Sequence, residues 1–414
     1  MDLTGSNALL EQSLRTSYGR LLALLAAVDG DIEGAEDALA DAFERALATW
    51  PERGIPANPD GWLLTAARNR RRDVWKSAAH RTSVAFDPAV HEPVAPAPSH
   101  IDEIELPDKR LQLMLVCAHP SIDKSVRTPL MLDVVLGCTA KEIALAFALP
   151  TATLAARLGR AKSRIRDSGI SFELPGRTTL PARIDAVLAA IYGAFAIDWH
   201  CTAPELRTSL TGESLHLAET LCTLLPDDAE AHGLAALICM SIARLPSRYS
   251  KGMLVPLQEQ NFRLWDPDLL AQGEEHLRHA HHLVAEGTSP LGRFQLDAAI
   301  GAVHCARRHT GATDWQSLRG LHAAAQSIAP TVGGAVALAV VTAELDGPEA
   351  GLAMLAAIGR DRFQPAWAAR AHLLQRLDRR DEAAAAYAKA ISLSPDEPTR
   401  RLLLARATRL PMGS

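Results

Sequence analysis

The stretch from residue 139 to residue 166, TAKEIALAFALPTATLAARLGRAKSRIR, constrains the fold of this chain more than any other. Thr139 followed three residues later by Glu142 predicts a capping box at the start of a helix. Pro150 ends that helix, and a second helix begins near Thr151. Apolar residues then recur at steps of four, three and four, which predicts a buried stripe of Leu154, Leu158, Ala161 and Ile165. Two short helices joined by a tight turn predict a helix-turn-helix.

The second predicted helix is rich in basic side chains. They are Arg157, Arg160 and Arg164 on one stripe, widened by Lys162 and Arg166. Together with Lys141 they make six basic residues against one acidic residue, a net charge of +5. Cations at this density suit phosphate contacts, whereas base reading falls to side chains near the helix start, Thr151 and Thr153. On this stretch alone, an ordinary surface helix pair with a solvated arginine face remains an alternative.

Length and composition bound the fold class. A chain of 414 residues is expected to form two or three domains. Hydrophobic residues make up 48% of it and aromatic residues only 5%, with Ala and Leu dominant, which favours an all-α protein. The net charge is −5, so any contact with nucleic acid must come from local patches.

The distribution of cysteines and apolar residues indicates the compartment. The six cysteines form no CxxC pair, as expected for reduced thiols in a cytoplasmic protein. The first residues lack the layout of a signal peptide, and no apolar run reaches membrane-spanning length. We therefore expect a soluble, cytoplasmic protein with no membrane partner.

The first predicted domain, residues 10–82, contains an acidic helix and a basic helix. Residues 29–60 hold nine acidic residues against two basic ones, a net charge of −7. After a proline-rich loop, residues 62–81 hold six basic residues against Asp73, a net charge of +5. Trp62 and Trp75 bracket this basic run and suit contact with unstacked bases, although packing in the core is the alternative for both. Two helices of opposite charge suggest two different partners.

The rest of the chain divides into three segments. Residues 83–108 form a proline-rich linker, and residues 109–172 hold the helix-turn-helix. Residues 178–414 read as helices separated by Pro, Gly and Asp turns. The last of these helix pairs follows the spacing of a tetratricopeptide repeat, with signature residues Trp367, Ala371, Leu374, Ala383, Tyr387, Ala390 and Pro395.

Histidines raise the question of a metal site. His276 and His279 share a helix face that His281 does not, and no carboxylate or cysteine at a useful spacing completes a set of ligands. These histidines are therefore expected to be solvated or to pack. The sequence also lacks a nucleophile with a base, a phosphate-binding glycine loop and a pair of acid/base carboxylates. We expect no metal, no cofactor, no catalytic residue and no enzyme activity.

Several motifs together resemble a known family. They are AEDALADAFERAL (35–47), NPDGWLLTAARNRRRD (58–73), DKRLQLMLVCAHP (108–120) and EIALAFALPTATLAARLGRAKSRIR (142–166), followed by LPARIDAVLAAIY (180–192). Their order and spacing resemble bacterial sigma-70-family initiation factors of the extracytoplasmic-function type. The similarity is to the subgroup with a long C-terminal extension of tetratricopeptide-like repeats.

The resemblance implies two main partners, core RNA polymerase and promoter DNA. The residues implied to contact polymerase are Glu36, Asp37, Asp41, Phe43 and Glu44. Those implied to contact DNA are Trp62, Arg68, Arg70, Arg71, Arg72, Lys76, Lys141, Thr151, Thr153, Arg157, Arg160, Lys162 and Arg164. The first domain would bind the −10 element and the helix-turn-helix the −35 element. The extension would regulate the sigma domains, by intramolecular contact or with a regulatory protein partner.

The reading helix departs from the subgroup at two positions. Thr151 and Ala156 stand where members often carry Glu and Gln, and alanine cannot hydrogen-bond a base edge. Two rival functions therefore stay open. One is a DNA-binding regulator that works without polymerase. Such a protein would need neither the acidic helix to contact polymerase nor the loop of residues 51–61, which the resemblance implies would receive a base flipped from the −10 element. The other is a helical-repeat scaffold whose sigma domains are degenerate.

Overall fold

The computed structural model describes residues 17–81, 108–170, 172, 179–200, 204–359, 362–394 and 396–409. Within these ranges nearly all regular structure is helical, which confirms the all-α class. The described residues form two compact units. The first unit runs to Trp199 and also includes Leu206–Thr220, and the second includes His200–Glu205 and the chain from Leu221 onward.

The helices of the first unit lie in the N-terminal half of the chain. They are α1 (Tyr18–Ala26), α2 (Ile32–Arg53), α3 (Pro59–Arg81), α4 (Lys109–Cys117), α5 (Lys124–Val134), α6 (Ala140–Ala146), α7 (Thr151–Asp167), α8 (Pro181–His200) and α9 (Pro204–Leu224), the last of which continues into the second unit. Helix α2 starts at Asp31, whose side chain accepts a hydrogen bond from the N–H of Gly34. It stops at Gly54, where φ is +84°.

Helices α1, α2 and α3 share one apolar core. Leu22 of α1, Leu39 of α2 and Leu63 of α3 are fully buried in it. Trp50 lies at the same core, and its ring meets that of Trp62 edge to face with centroids 5.6 Å apart. Burial of this apolar surface, rather than helix propensity, holds the three helices together.

The three N-terminal helices pack directly on the helices that follow them. A Cβ atom at Gly19 of α1 would lie 1.8 Å from the carbonyl oxygen of Val135, just after α5. Only glycine allows this approach, because any side chain would collide with backbone. Helix α1 also contacts α4. The acidic and basic helices therefore belong to the same compact unit as the helix-turn-helix.

Helices α8 and α9 join the first unit through buried polar contacts. Arg183 of α8 donates a hydrogen bond to the carbonyl oxygen of Leu115, with a length of 2.9 Å. Arg110, itself buried, pairs with Asp108 at 2.6 Å and with Glu213 of α9. A buried guanidinium needs such partners, because its desolvation is otherwise costly. These contacts tie the start of the C-terminal half of the chain to α4.

The second unit consists of short helices in sequence order with one small hairpin. Its elements are α10 (Ala229–Ala243), α11 (Leu245–Arg248), β1 (Tyr249–Ser250), β2 (Met253–Leu254), α12 (Pro267–Ala285), α13 (Arg293–Thr310), α14 (Trp315–Ile328), α15 (Val332–Asp346), α16 (Pro348–Ile358), α17 (Gln364–Arg376), α18 (Arg380–Ser392) and α19 (Glu397–Ala407). The hairpin is antiparallel and pairs Tyr249 with Leu254. Trp265 anchors the first helices of the unit, because it is buried and its indole N–H donates to Ser247 at 2.7 Å.

The final helix pair brings most of the predicted repeat signature into one cluster. Its buried members are Ala371, Leu374, Ala383, Tyr387 and Ala390, with Trp367 packed against them. Pro395 lies outside the described residues. The Tyr387 hydroxyl donates to Gln375 at 2.8 Å, which satisfies the polar end of a buried ring. Helix α19 then contacts β2, and Arg406 pairs with Glu259 at 2.6 Å.

Among the described helices, none is by itself both long and apolar enough to cross a membrane. The bent pair formed by α6 and α7 passes the same test of length and composition only when the two helices are joined.

Candidate nucleic-acid interface

Helices α6 and α7 have the geometry of a helix-turn-helix. The backbone N–H of Thr139 donates to the Glu142 carboxylate at 2.7 Å, and the N–H of Glu142 donates to the Thr139 hydroxyl at 3.3 Å. This reciprocal capping box starts α6 as the sequence predicts. The axes of α6 and α7 differ by 111°, within the range of about 90–120° for this motif. Leu154 and Ile165 of α7 are buried, so the helix has a fixed inner face.

Three arginines of α7 line a surface groove, which we call the arginine groove. They are Arg157, Arg160 and Arg164, and they share one side of the helix at about 100° per residue. The groove has a volume of about 460 Å³, and its opposite wall is the segment from Ser121 to Val126. Arg160 and Arg164 are exposed and Arg157 is half-buried. Three cations along one open groove suit contact with backbone phosphates.

One acidic side chain lies in the arginine groove. Asp123 caps α5 and accepts hydrogen bonds from the N–H and the hydroxyl of Ser125, at 2.8 and 2.6 Å. These bonds, helped by the charge of Arg157, hold the pKa of Asp123 below its usual range. The carboxylate is therefore charged at neutral pH and offsets part of the positive potential of the groove.

The N-terminal end of α7 offers few groups that could read bases. Thr151 and Thr153 are exposed, as are Ala152, Ala155 and Ala156. Thr153 falls on the side of the arginines, whereas Thr151 is rotated away from them by more than a quarter turn, at about 100° per residue. On this helix, the cations that suit phosphate contact therefore outnumber the exposed side chains that suit contact with base edges.

Lys162 does not lie on the arginine groove, which differs from the sequence-based expectation. Its ammonium group pairs with Glu36 of α2 at 2.6 Å and with Asp133 of α5 at 2.8 Å. Only 13% of the Lys162 side chain is exposed. Burial lowers the pKa of Lys162, but the two carboxylates outweigh it, so the net shift is upward. Position 162 is half a helical turn from the arginine stripe, which places it against α2.

A second ion pair extends this contact between α2 and α7. Arg166 pairs with Glu33 at 2.6 Å, and the hydroxyl of Ser163 lies 3.5 Å from the same carboxylate. We call the set Glu33, Glu36, Asp133, Lys162 and Arg166 the α2–α7 clasp. It joins one residue predicted to bind polymerase, Glu36, to one predicted to bind DNA, Lys162. No local pattern in the sequence predicts that Asp133 forms an ion pair, because only packing brings its partner Lys162 close to it.

Three other acidic residues of α2 face a second groove. Asp37 and Glu44 are exposed, and Asp41 pairs with Arg45 at 2.8 Å and with Arg70 of α3 at 3.5 Å. These carboxylates line a groove of about 370 Å³ between α2 and α3. Phe43, which the resemblance implies as a polymerase contact, is only 4% exposed. It therefore anchors α2 in the core beneath the acidic surface.

Helix α3 presents a mixture of bound and exposed cations. Arg71 is largely buried, donating to the carbonyl oxygen of Leu25 at 2.7 Å and pairing with Asp29. Arg68 and Arg72 are exposed. The side chain of Lys76 lies outside the described residues.

The two tryptophans of α3 also differ in exposure. Trp62 is half-buried against Trp50, which matches the core alternative in part, whereas Trp75 is 56% exposed beside the second groove. Lys141 is exposed on α6. Of the two tryptophans, Trp75 has the exposed ring that stacking on a base would require.

Comparisons with known proteins give partial likenesses. Residues 183–281 match a family described as a family of unknown function, DUF6596. The chain is 29% identical over 377 residues to an uncharacterized protein of Rhizobium meliloti, covering 88% of this chain and 87% of that protein. It is 27% identical over 162 residues to a probable RNA polymerase sigma factor of Xanthomonas campestris, covering 36% of this chain and 40% of that protein. No solved structure matches the chain.

Proposed function

We propose that this chain is a sigma factor of the extracytoplasmic-function type, which directs core RNA polymerase to promoters and is controlled by its C-terminal helical unit. The observation that carries the proposal is the likeness of part of the chain to a probable RNA polymerase sigma factor. The helix-turn-helix angle of 111° and the arginine groove support it, because both suit a duplex-binding element.

In this proposal the charged surfaces have separate tasks. The arginine groove contacts the phosphates of the −35 element, and Thr153 lies where a base edge would be read. The exposed acidic side chains Asp37 and Glu44 contact the polymerase. Trp75 and the exposed arginines of α3 bind the unpaired strand of the −10 element by stacking and charge. The chain binds and positions its partners, and it catalyses no step itself.

In this mechanism, the α2–α7 clasp holds the protein in a closed conformation. While Glu36 and Lys162 are paired, neither side chain is available to an outside partner. Binding of polymerase at Glu36 requires the clasp to open, which frees α7 from α2. The closed form is then the free protein, and the open form is the one assembled on polymerase.

Polymerase binding can be tested by reversing the charge of the acidic surface. The full chain is mixed with bacterial core RNA polymerase and the affinity is measured by a solution assay. Changing Asp37 and Glu44 to Lys should weaken binding by at least about tenfold, since like-charge contacts across an interface cost several kcal/mol. Glu52→Lys is the matched control, because Glu52 is exposed on the same helix beyond the second groove.

Initiation is tested by transcription from a randomised promoter library with the reconstituted holoenzyme. Enrichment of sequences with two spaced elements is expected, and replacing the three groove arginines with Ala should abolish selection of the upstream element. Polymerase binding without any transcript would instead favour a scaffold with degenerate sigma domains. Stable promoter binding by the chain alone would favour a polymerase-independent regulator.

A further inference from the structure

The second unit brings two histidines and a cysteine together. Cys222 near the end of α9, His232 of α10 and His276 of α12 each offer a ligand atom, and these atoms lie within 4.8 Å of one another. The Nδ1 atoms of His232 and His276 are 3.0 Å apart. His279, one turn along α12 from His276, places its ring 4.4 Å from that of His232, centroid to centroid.

Backbone contacts orient the imidazole rings of this cluster. Nε2 of His232 lies 3.2 Å from the carbonyl oxygen of Pro226, and Nε2 of His279 lies 2.9 Å from the same oxygen. A carbonyl can only accept, so Nε2 of each ring carries the proton. The lone pair of His232 is then on Nδ1, directed at the cluster. Ligand histidines in metal sites are held in the same way, by donating their second N–H to a carbonyl or carboxylate.

Binding of an ion requires two of the ligand atoms to lose their protons. Because Nδ1 of His232 carries the lone pair, Nδ1 of His276 is the donor in the 3.0 Å contact and must give up its proton to the other ring nitrogen or to water. Cys222 is buried among the same helices. Metal binding requires neutral imidazole and thiolate, and the ion itself displaces the thiol proton.

We propose that Cys222, His232 and His276 bind a transition-metal ion of the zinc class, with the fourth position beside His279. Bond lengths of about 2.0–2.1 Å to nitrogen and about 2.3 Å to sulfur place tetrahedral ligand atoms about 3.3–3.7 Å apart. The two Nδ1 atoms are 3.0 Å apart and all three ligand atoms lie within 4.8 Å of one another, so side-chain rotation would have to adjust these distances to complete the site. A cysteine and histidines select Zn²⁺ or Co²⁺ over Mg²⁺ or Ca²⁺.

The site joins elements that are far apart in the sequence. Its ligands come from the end of α9 and from α10 and α12, so the ion links residues of the second unit that are up to 54 positions apart. An ion that binds the folded form and not the unfolded chain stabilises the fold by mass action. This inference is independent of the proposed transcription function, because the ligands belong to the second unit and the arginine groove to the first.

The experiment uses metal-free full-length protein titrated with Co²⁺. Tetrahedral coordination with a thiolate is expected to give visible absorption bands and a sulfur-to-cobalt charge-transfer band, at one ion per chain, with displacement by Zn²⁺. Cys222→Ser should abolish the charge-transfer band. His232→Ala and His276→Ala should each weaken Co²⁺ affinity by at least about tenfold. The control is His281→Ala with His282→Ala, since both side chains are exposed on the same helix.

Thermal unfolding supplies a second readout that separates lost ligands from lost folding. Zn²⁺ should raise the Tm of the unaltered protein and of the control but not the Tm of His276→Ala. Without metal, the Tm of His276→Ala should equal that of the unaltered protein, which shows that the variant still folds. The inference is overturned if the full chain binds no Co²⁺. It is also overturned if Cys222→Ser retains the charge-transfer band, or if binding is lost in the His281 and His282 control. The 3.0 Å contact would then be a hydrogen bond between two histidines.

Discussion

Replacing Lys162 with Met tests the α2–α7 clasp. Met retains most of the length and apolar contact of the lysine stem but removes the ammonium group. The change leaves Glu36 and Asp133 facing each other without the cation that lies 2.6 and 2.8 Å from them. Both carboxylates are largely shielded from water, with 23% and 21% of their side chains exposed.

The size of the effect follows from this geometry. Breaking a buried ion pair by removing one partner costs about 3–5 kcal/mol, and a hydrogen bond to a charged group contributes about 1.5–3 kcal/mol. Because a fifth of each carboxylate still reaches water, we expect a loss of about 2–3 kcal/mol. Arg160→Met on the exposed side of α7 is the control and should change stability by less than about 0.5 kcal/mol.

The loss should also depend on pH. Burial is the largest cause that raises the pKa of Glu36 in the folded protein, and Lys162 opposes it. A carboxyl whose folded pKa is raised stabilises the fold below its unfolded pKa, about 4.3, and loses that contribution as pH rises through the folded pKa. Without Lys162 the folded pKa of Glu36 rises further. The free energy of unfolding that Lys162→Met removes should therefore be smaller near pH 5 than at pH 7.5.

Native-state hydrogen exchange of the full chain measures this effect, because peptides from α2 and α7 report the local free energy of opening. Adding Glu36→Gln to Lys162→Met should recover part of the loss, since it removes one unpaired charge. The reasoning is refuted if Lys162→Met costs no more than Arg160→Met. The same holds if its cost is equal at both pH values, or if Glu36→Gln recovers nothing.

Three further predictions concern packing and charge. Gly19→Ala should destabilise the first unit by about 1–3 kcal/mol in urea unfolding, because its Cβ would collide with the Val135 carbonyl. Gly159→Ala is the control, because the space around Gly159 is open, and it should stabilise α7 by up to about 1 kcal/mol. Replacing all the groove arginines with Ala should reduce the slope of log K against log salt for duplex DNA by about 2–3, and an unchanged slope would exclude the groove as a phosphate site. Leu374→Ala in the buried cluster of the last helix pair should cost about 2–5 kcal/mol in urea unfolding, against little for the exposed Leu404→Ala, and equal losses would contradict the observed packing.

Local sequence patterns determined much of the first unit. The capping box at Thr139, the break at Pro150 and the apolar stripe of α7 act over a few residues, so their outcome depends little on distant parts of the chain. The alignment of Arg157, Arg160 and Arg164 is likewise a property of helix periodicity. The all-α class follows from the abundance of Ala and Leu and the scarcity of aromatic residues.

Only the tertiary structure decided which charged and ligand-bearing side chains meet. The basic run of α7 predicts a single cationic surface, but packing against α2 turns Lys162 into the partner of Glu36, which is 126 residues away. Similarly, the histidines of α12 look solvated in the sequence, and folding brings His232 and Cys222 from other helices to His276. Periodicity specifies which residues share a helix face, but it does not specify what the face packs against, because that depends on how the whole apolar surface is buried.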